Sequence, residues 1–403
     1  MLPPTGLSLD LLLQIAQYLS PQDGYALLRA CPMLAKQFTF RQLRGIDSED
    51  NTLLHLIAQN GELQLLRSII HTNDSTTVLK KGIPFNAQND FDCTPLHLAV
   101  EEQYEEVVKL LISQPNVDVN LRDLDHYLPV SRAVKLGNAR MVQMFLDLRD
   151  DIILDRQPRG LPQADYTPIL TMAAQEGHED VVRLLLQRDD LKDDPPDRTD
   201  QTALSAAVAG ECKSTVELLL HREDADYDPG SIRYSLCVTV VNGDIEIMRI
   251  LLNRHEEVLN LGGVLGMTVL YEAIYYGWKE AAEYLLGLEN IRADIPSEHN
   301  WTPLHQAAFS GLLPVVRMLL KRTSVDVDVN ATTDEGATAL MLAAEAGNEE
   351  IVDALLAQEN IDLDTVDCHG KTALSLAAAN NNMSIHRLLL AKGADPTVAD
   401  DEG

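Results

Sequence analysis

Apolar residues return along this chain in one repeating frame. The segment from Thr302 reads TPLHQAAFSGLLPVVRMLL: a short stripe running into paired alanines, a Ser-Gly break, then a second stripe ending in paired leucines. Apolar positions three and four residues apart predict amphipathic helices, here two short ones joined at a glycine. Comparable segments start at Thr52, Thr94, Leu128, Thr167, Thr202, Tyr234, Thr268, Thr338 and Thr372. Most starts lie 32 to 36 residues apart, with 42 between the first two and about 40 before Thr167. The longer steps predict loop insertions at 71–93 and 147–166. Units of this period bury their apolar faces against neighbours, so 403 residues need not mean two or three globular domains.

Local chemistry agrees with the period. Pro95, Pro168 and Pro303 fit a first helical turn, where a missing N–H costs nothing, and the threonine before each can cap the helix. Ala307–Ala308 and Ala343–Ala344 allow close helix approach, while Gly137, Gly177, Gly243, Gly277, Gly311 and Gly347 stand where the chain must turn. Over residues 48–400 these features resemble the ankyrin-repeat family, whose unit is a β-turn finger followed by two antiparallel helices. The resemblance implies an all-α repeat solenoid of about ten repeats that binds a protein client through its concave face. It also gives His55, His97 and His305, in the TPLH slot, a bond between adjacent fingers rather than catalysis or metal binding. Other repeats place Ser131, Ser205, Cys237, Tyr271, Met341 and Ser375 there, as suits a replaceable structural part.

Residues 1–47 precede the array at 48–403. In them Leu11, Leu12, Ile15 and Leu19 recur at helical spacing, Ser20-Pro21 opens a second helix, and Leu27, Leu28, Cys31 and Leu34 continue the pattern. With Leu7, Asp10 and Asp23 they resemble a degenerate F-box, the helical module that docks a substrate receptor onto the linker subunit of an SCF-type ubiquitin ligase. The combination is similar to F-box/ankyrin proteins of filamentous fungi. Ser8 replaces the usual proline, and the usual tryptophan near position 37 is absent. Two readings stand: docking of an SCF linker through 7–38, by Leu11, Leu12, Ile15, Leu19, Leu27 and Leu28, or an N-terminal helical cap that any solenoid needs.

Composition narrows the partners. Against 62 acidic residues stand 32 lysines and arginines, a formal charge of −30, which disfavours nucleic acid and anionic membranes and favours basic or neutral partners. That charge also serves solubility. Cys31, Cys93, Cys212, Cys237 and Cys368 are odd in number and never form a CxxC pair, so neither a disulfide framework nor a zinc site is expected. With no signal peptide and no 18-residue apolar run, a cytoplasmic or nuclear setting follows.

No cofactor or metal is expected. Asp326, Asp328, Asn330 and Asp334 imitate the start of a calcium loop, but Ala331 and Ala337 stand where it needs Gly and Glu. Gly262, Gly263 and Gly266 lack the strand and the GK[ST] of a nucleotide loop. An enzyme on this scaffold would have to improvise a site from Glu272, Tyr275, Tyr276, His299 and His305.

The resemblance implies that two finger residues, the residue before the threonine slot and two near the end of helix one face the partner. In repeat one these are Ser48, Glu49, Asn51, Gln59 and Asn60, and in repeat nine Asp334, Glu335, Ala337, Glu345 and Ala346. Repeats seven and eight instead carry Val264, Leu265, Met267, Tyr275 and Tyr276, then Glu298, His299, Trp301, Phe309 and Ser310, with Arg233 and Tyr234 extending the cluster from repeat six. Residues 227–309 hold nine of the nineteen aromatics (eleven Tyr, six Phe, two Trp), both tryptophans among them. Such a patch at exposed positions is an interface or a pocket, unless a non-ideal finger or the insertion at 147–166 packs over it and buries it. After Leu390, KGADPTVADDEG reads as the opening of another finger, as expected if the chain is truncated or its last face packs on a partner.

Overall fold

The structure, a computed structural model, describes residues 14–16, 18–37, 46–70, 83–154, 167–188, 191, 202–222, 227–322 and 327–398, apart from the side chains of 35–37. Leu7, Asp10, Leu11, Leu12 and Asp326 lie outside them, as do 71–82 and 155–166 of the insertions. Two compact units, Met1–Ala206 and Ala207–Gly403, divide the chain within the helix Ala203–Ala209.

Each unit is a stack of helix pairs. In the first, Leu53–Gln59, Pro95–Glu101, Pro129–Lys135 and Ile169–Gln175 pack in sequence, and the second helices of the pairs stack beside them. In the second, Pro229–Asn242, Val269–Tyr275, Pro303–Phe309, Ala339–Ala346 and Ala373–Ala379 do the same. The paired alanines are completely buried, as Ala307, Ala308, Ala343 and Ala344 show, so the inner helices approach without side-chain obstruction. Among the described residues there are isolated β-bridges, Ile46 with Thr52 and Thr332 with Thr338, but no strand.

The threonine slot works as a cap. Thr94 and Thr302 accept the amides of His97 and His305 at 3.4 and 3.3 Å, and each histidine Nδ1 accepts the threonine amide in return at 3.1 Å. The ring's Nε2–H then reaches a carbonyl of the following repeat: Cys93 for His55, Tyr127 for His97 and Ala331 for His305. Only a neutral ring can accept the threonine amide at Nδ1; a proton there would displace that bond and leave the threonine Oγ1, 2.8–2.9 Å away, as the acceptor.

Two sets of bonds tie successive fingers. Backbone amides of Asp90, Leu124, Asp334 and Cys368 donate to Glu49, Phe91, His299 and Glu335 of the preceding finger. Below them, single asparagines bridge repeats as a peptide group would. Asn86 donates to Asn116 O at 3.0 Å and accepts from Asp118 N at 2.9 Å. Asn120, Asn260 and Asn330 make the same double contact with Asp151 and Ile153, Asn290 and Arg292, and Asn360 and Asp362.

Three local expectations change. Helix one of repeat six begins at Pro229, five residues before Tyr234, and runs for 14 residues where repeat seven has 7. Asp228 caps it by accepting Ser231 N–H at 3.2 Å and Pro229 occupies its first turn, so helix replaces the finger. Pro168 is itself the N-cap of its helix rather than a first-turn residue. Asn51, expected to face a partner, is buried, its side-chain Oδ1 accepting Asn89 Nδ2 at 2.9 Å from the next finger.

Ahead of the array, Pro21–Ala30 packs on Leu53–Gln59 and the 3-10 turn Pro32–Gln37 on Leu63–Ile70. Leu28 and Leu34 are fully buried in this junction, and Arg29 and Tyr25 both reach Glu62.

Candidate functional site

The lengthened helix of repeat six sets the first feature. It carries Arg233 to repeat seven, where one guanidinium nitrogen, Nη2, donates to Glu272 Oε1 at 2.8 Å and to Met267 O at 3.2 Å. Both side chains are nearly inaccessible, 13% and 9% exposed. The guanidinium lies against Gly263, where an added Cβ would fall 1.4 Å from Nη2. Glu272 also meets the Cys237 thiol, whose pKa burial and that carboxylate push up. Glu272 and Arg233 are thus committed to each other inside the array.

The second feature is a pocket of about 580 Å³ between the fingers and inner helices of repeats seven and eight. Its floor is polar but satisfied. Tyr271, 5% exposed in the histidine slot, donates its hydroxyl to Gln306 Oε1 at 3.2 Å, and Gln306 Nε2 donates to Ser310 Oγ at 2.9 Å. Burial pushes the Tyr271 phenol up, with a Ser297 hydrogen bond opposing. Trp301 meets Phe309 edge-to-face with centroids 6.0 Å apart, and Tyr275 meets Tyr276 in the same way at 5.2 Å. These arrangements suit the ring quadrupoles and fix the walls. Leu265, Met267, Ser297, Glu298 and His299 complete the lining.

Two properties set this place apart. Tyr275, Tyr276 and Phe309 are each about half exposed (54%, 55% and 49%), so large apolar area stands in water. Leu265 sits at the tip of finger seven with φ +58°, a left-handed conformation costing a branched residue roughly 1–2 kcal/mol, and is also 52% exposed. An unstrained polar tip would be the default for a joint with no task.

Of the residues singled out in sequence, the pocket gathers Leu265, Met267, Tyr275, Tyr276, His299, Trp301 and Phe309. Arg233, Tyr234, Val264, Glu272 and His305 lie outside its lining. Val264 and Tyr234 are exposed, at 73% and 46%. His305 is buried with both ring nitrogens engaged, which leaves it no free atom for acid–base work. His299 is exposed, its Nδ1 3.6 Å from Asp334 Oδ2. Sequence reasoning did not place Tyr271, Gln306 and Ser297 in a site; the signal available was a tyrosine in a slot otherwise held by smaller side chains, followed 35 residues later by an inward glutamine. Of the docking residues, Ile15 is exposed, Leu19 and Leu27 are half-buried and Leu28 is fully buried. Among the described residues no group of three or more His, Cys, Asp or Glu is placed to hold a metal ion, and no helix is long and apolar enough to cross a membrane.

The profile of the family "Ankyrin repeats (3 copies)" matches residues 27–123, 54–156, 130–230, 236–333 and 323–400. The chain belongs to the ankyrin-repeat family, and its fold is an all-α repeat solenoid. It is similar to the ankyrin repeat domain-containing protein SAT10 of Stachybotrys chartarum (strain CBS 109288 / IBT 7711), 28% identical over 70% of this chain and 14% of that protein. It is similar also to the ANK repeat-containing protein nipk-1 of Caenorhabditis elegans, 30% identical over 45% of this chain and 24% of that protein. A third relative is the serine/threonine-protein kinase TNNI3K of Mus musculus, 27% identical over 34% of this chain and 16% of that protein. The matched region thus spans a quarter or less of each relative's length.

Proposed function

We propose that the chain is a protein-recognition scaffold whose partner docks at repeats seven and eight. One observation carries the reading: an aromatic pocket, half open to water, between the fingers and inner helices of repeats seven and eight. Ankyrin repeats serve as protein-interaction scaffolds, and buried aromatic anchors dominate such interfaces. The test is capture of partners by the full chain and by Trp301→Ala and Tyr276→Ala, identified by mass spectrometry. Both variants should lose the partners that wild type retains at least tenfold, with thermal unfolding within a few degrees of wild type. Equal capture by all three proteins, or unfolding of the array by either change, would overturn the reading.

For residues 1–47 we propose a cap that also offers an outward face. Leu28 and Leu34 hold it to repeat one, whereas Ile15 and Tyr18 are 40% and 89% exposed. That exposure supports docking of an SCF linker subunit through Ile15, with Leu11, Leu12, Leu19 and Leu27 beside it in sequence, so that a bound client would be presented for ubiquitylation. Ile15→Asp should then abolish co-purification of the linker and leave unfolding unchanged; no linker bound to wild type, or equal amounts on both, leaves the segment as a cap alone. The volume of the pocket also falls in the range of small-molecule sites, which supports a metabolite-binding alternative at the same residues.

A further inference from the structure

Resting on the reading of this pocket as the docking site, we propose that it receives an arginine side chain from a basic segment of the partner protein. Tyr271, Tyr275, Tyr276, Trp301 and Phe309 present five aromatic rings to one space. The lining contains one carboxylate, Glu298, and neither lysine nor arginine. Next to it, on finger nine, stand the exposed acids Asp334 and Glu335, and the chain as a whole carries −30. The face of an aromatic ring attracts a cation, and a carboxylate at the rim supplies the matching charge. A phosphate or carboxylate ligand would meet Glu298 and ring faces, and the one lining side chain able to carry positive charge, His299, already faces Asp334.

Arginine fits better than a bare ammonium. Its planar guanidinium stacks on rings while its N–H groups remain free to meet Glu298 in a fork, and it sheds water more readily than lysine. The volume of about 580 Å³ exceeds a single side chain and leaves room for the residues on either side.

The probe is a displayed library of random dodecapeptides, selected on the full chain and counter-selected on Trp301→Ala. Selected peptides should be enriched in arginine and depleted of Asp and Glu. For a selected peptide, changing its arginine to citrulline or to lysine should weaken binding about tenfold or more, and so should Glu298→Gln in the protein. N-acetyl-arginine amide alone should bind far more weakly than the peptide. Trp301-dependent peptides without arginine, unaffected by Glu298→Gln, would overturn the arginine assignment but leave the pocket as the docking site. Equal binding of lysine and arginine peptides, or of the free arginine amide and the peptide, would also overturn it. A library yielding no Trp301-dependent peptide would overturn both.

Discussion

Arg233→Met lowers the unfolding free energy of its unit by about 3–5 kcal/mol, the cost of leaving a buried carboxylate without its partner. The full-length chain in a urea titration gives this directly, as an early transition in the variant. The loss arises because Glu272 is only 9% exposed, its Oε1 is held by the Arg233 guanidinium, and Cys237 beside it offers no charge. The double variant Arg233→Met/Glu272→Leu should recover most of that loss. The pair is costly to desolvate: Arg233 Nε is buried without a hydrogen bond, so the cluster is incompletely satisfied even when intact. Gly263→Ala supplies an independent check, because its methyl group would occupy the guanidinium's place. It should destabilise wild type, yet cost little in the double variant. A single Arg233→Met variant as stable as wild type would show that water reaches Glu272.

Lowering the pH from 7 to 5 should destabilise the first unit, and His97 should account for much of the slope. Burial drives its pKa down to about 4, while Tyr127 O, which accepts its Nε2–H, opposes the shift. In the unfolded chain the same ring titrates near 6.5. The folded value is the lower one, so the unfolded state binds more protons in the window between them. Stability is therefore complete above about 6.5 and falls as pH drops toward 4, by about 1.4 kcal/mol per unit at full slope. The physical event is that a proton on Nδ1 would face the Thr94 amide that this atom now accepts. His55 and His305 are shifted in the same direction by burial. Urea midpoints at several pH values, compared between wild type and His97→Gln, isolate the contribution: the variant should be less stable at pH 7.5 and distinctly less pH-dependent. A His97 ring signal titrating near 6.5 in the folded protein would refute the argument.

Much of the fold is legible because each repeat states it separately. A threonine that caps, a proline in the first turn, paired alanines and trailing leucines each report one local requirement, and stacking follows from the apolar face left over. Gly137 illustrates the point: φ is +69°, and a Cβ there would lie 2.5 Å from His178 Nδ1 of the next repeat. What failed was the place where a local signal was replaced by another. Asp228-Pro229 starts a helix as well as Thr-Pro does, so repeat six lost its finger without losing its period. The pocket's rings could be found from aromatic residues in positions that other repeats fill with polar ones. Its floor could not, because Tyr271 and Gln306 are 35 residues apart and match only through the stacking of two helices. Arg233 and Glu272, 39 apart, are a pair for the same reason, and nothing in either local sequence marks them as partners.

The bridging asparagines have a bearing on how such a chain ages. Asn86, Asn120, Asn260 and Asn330 each spend one side-chain amide donating to and accepting from the following repeat. Deamidation would exchange the donating nitrogen for an anionic oxygen facing a carbonyl, turning a rung into a repulsion. Alanine or leucine follows each of the four, which hinders the backbone attack that begins the reaction, whereas glycine would favour it. Because repeats couple to nearest neighbours, one converted asparagine would part the array at a single joint and leave the stacks on either side intact.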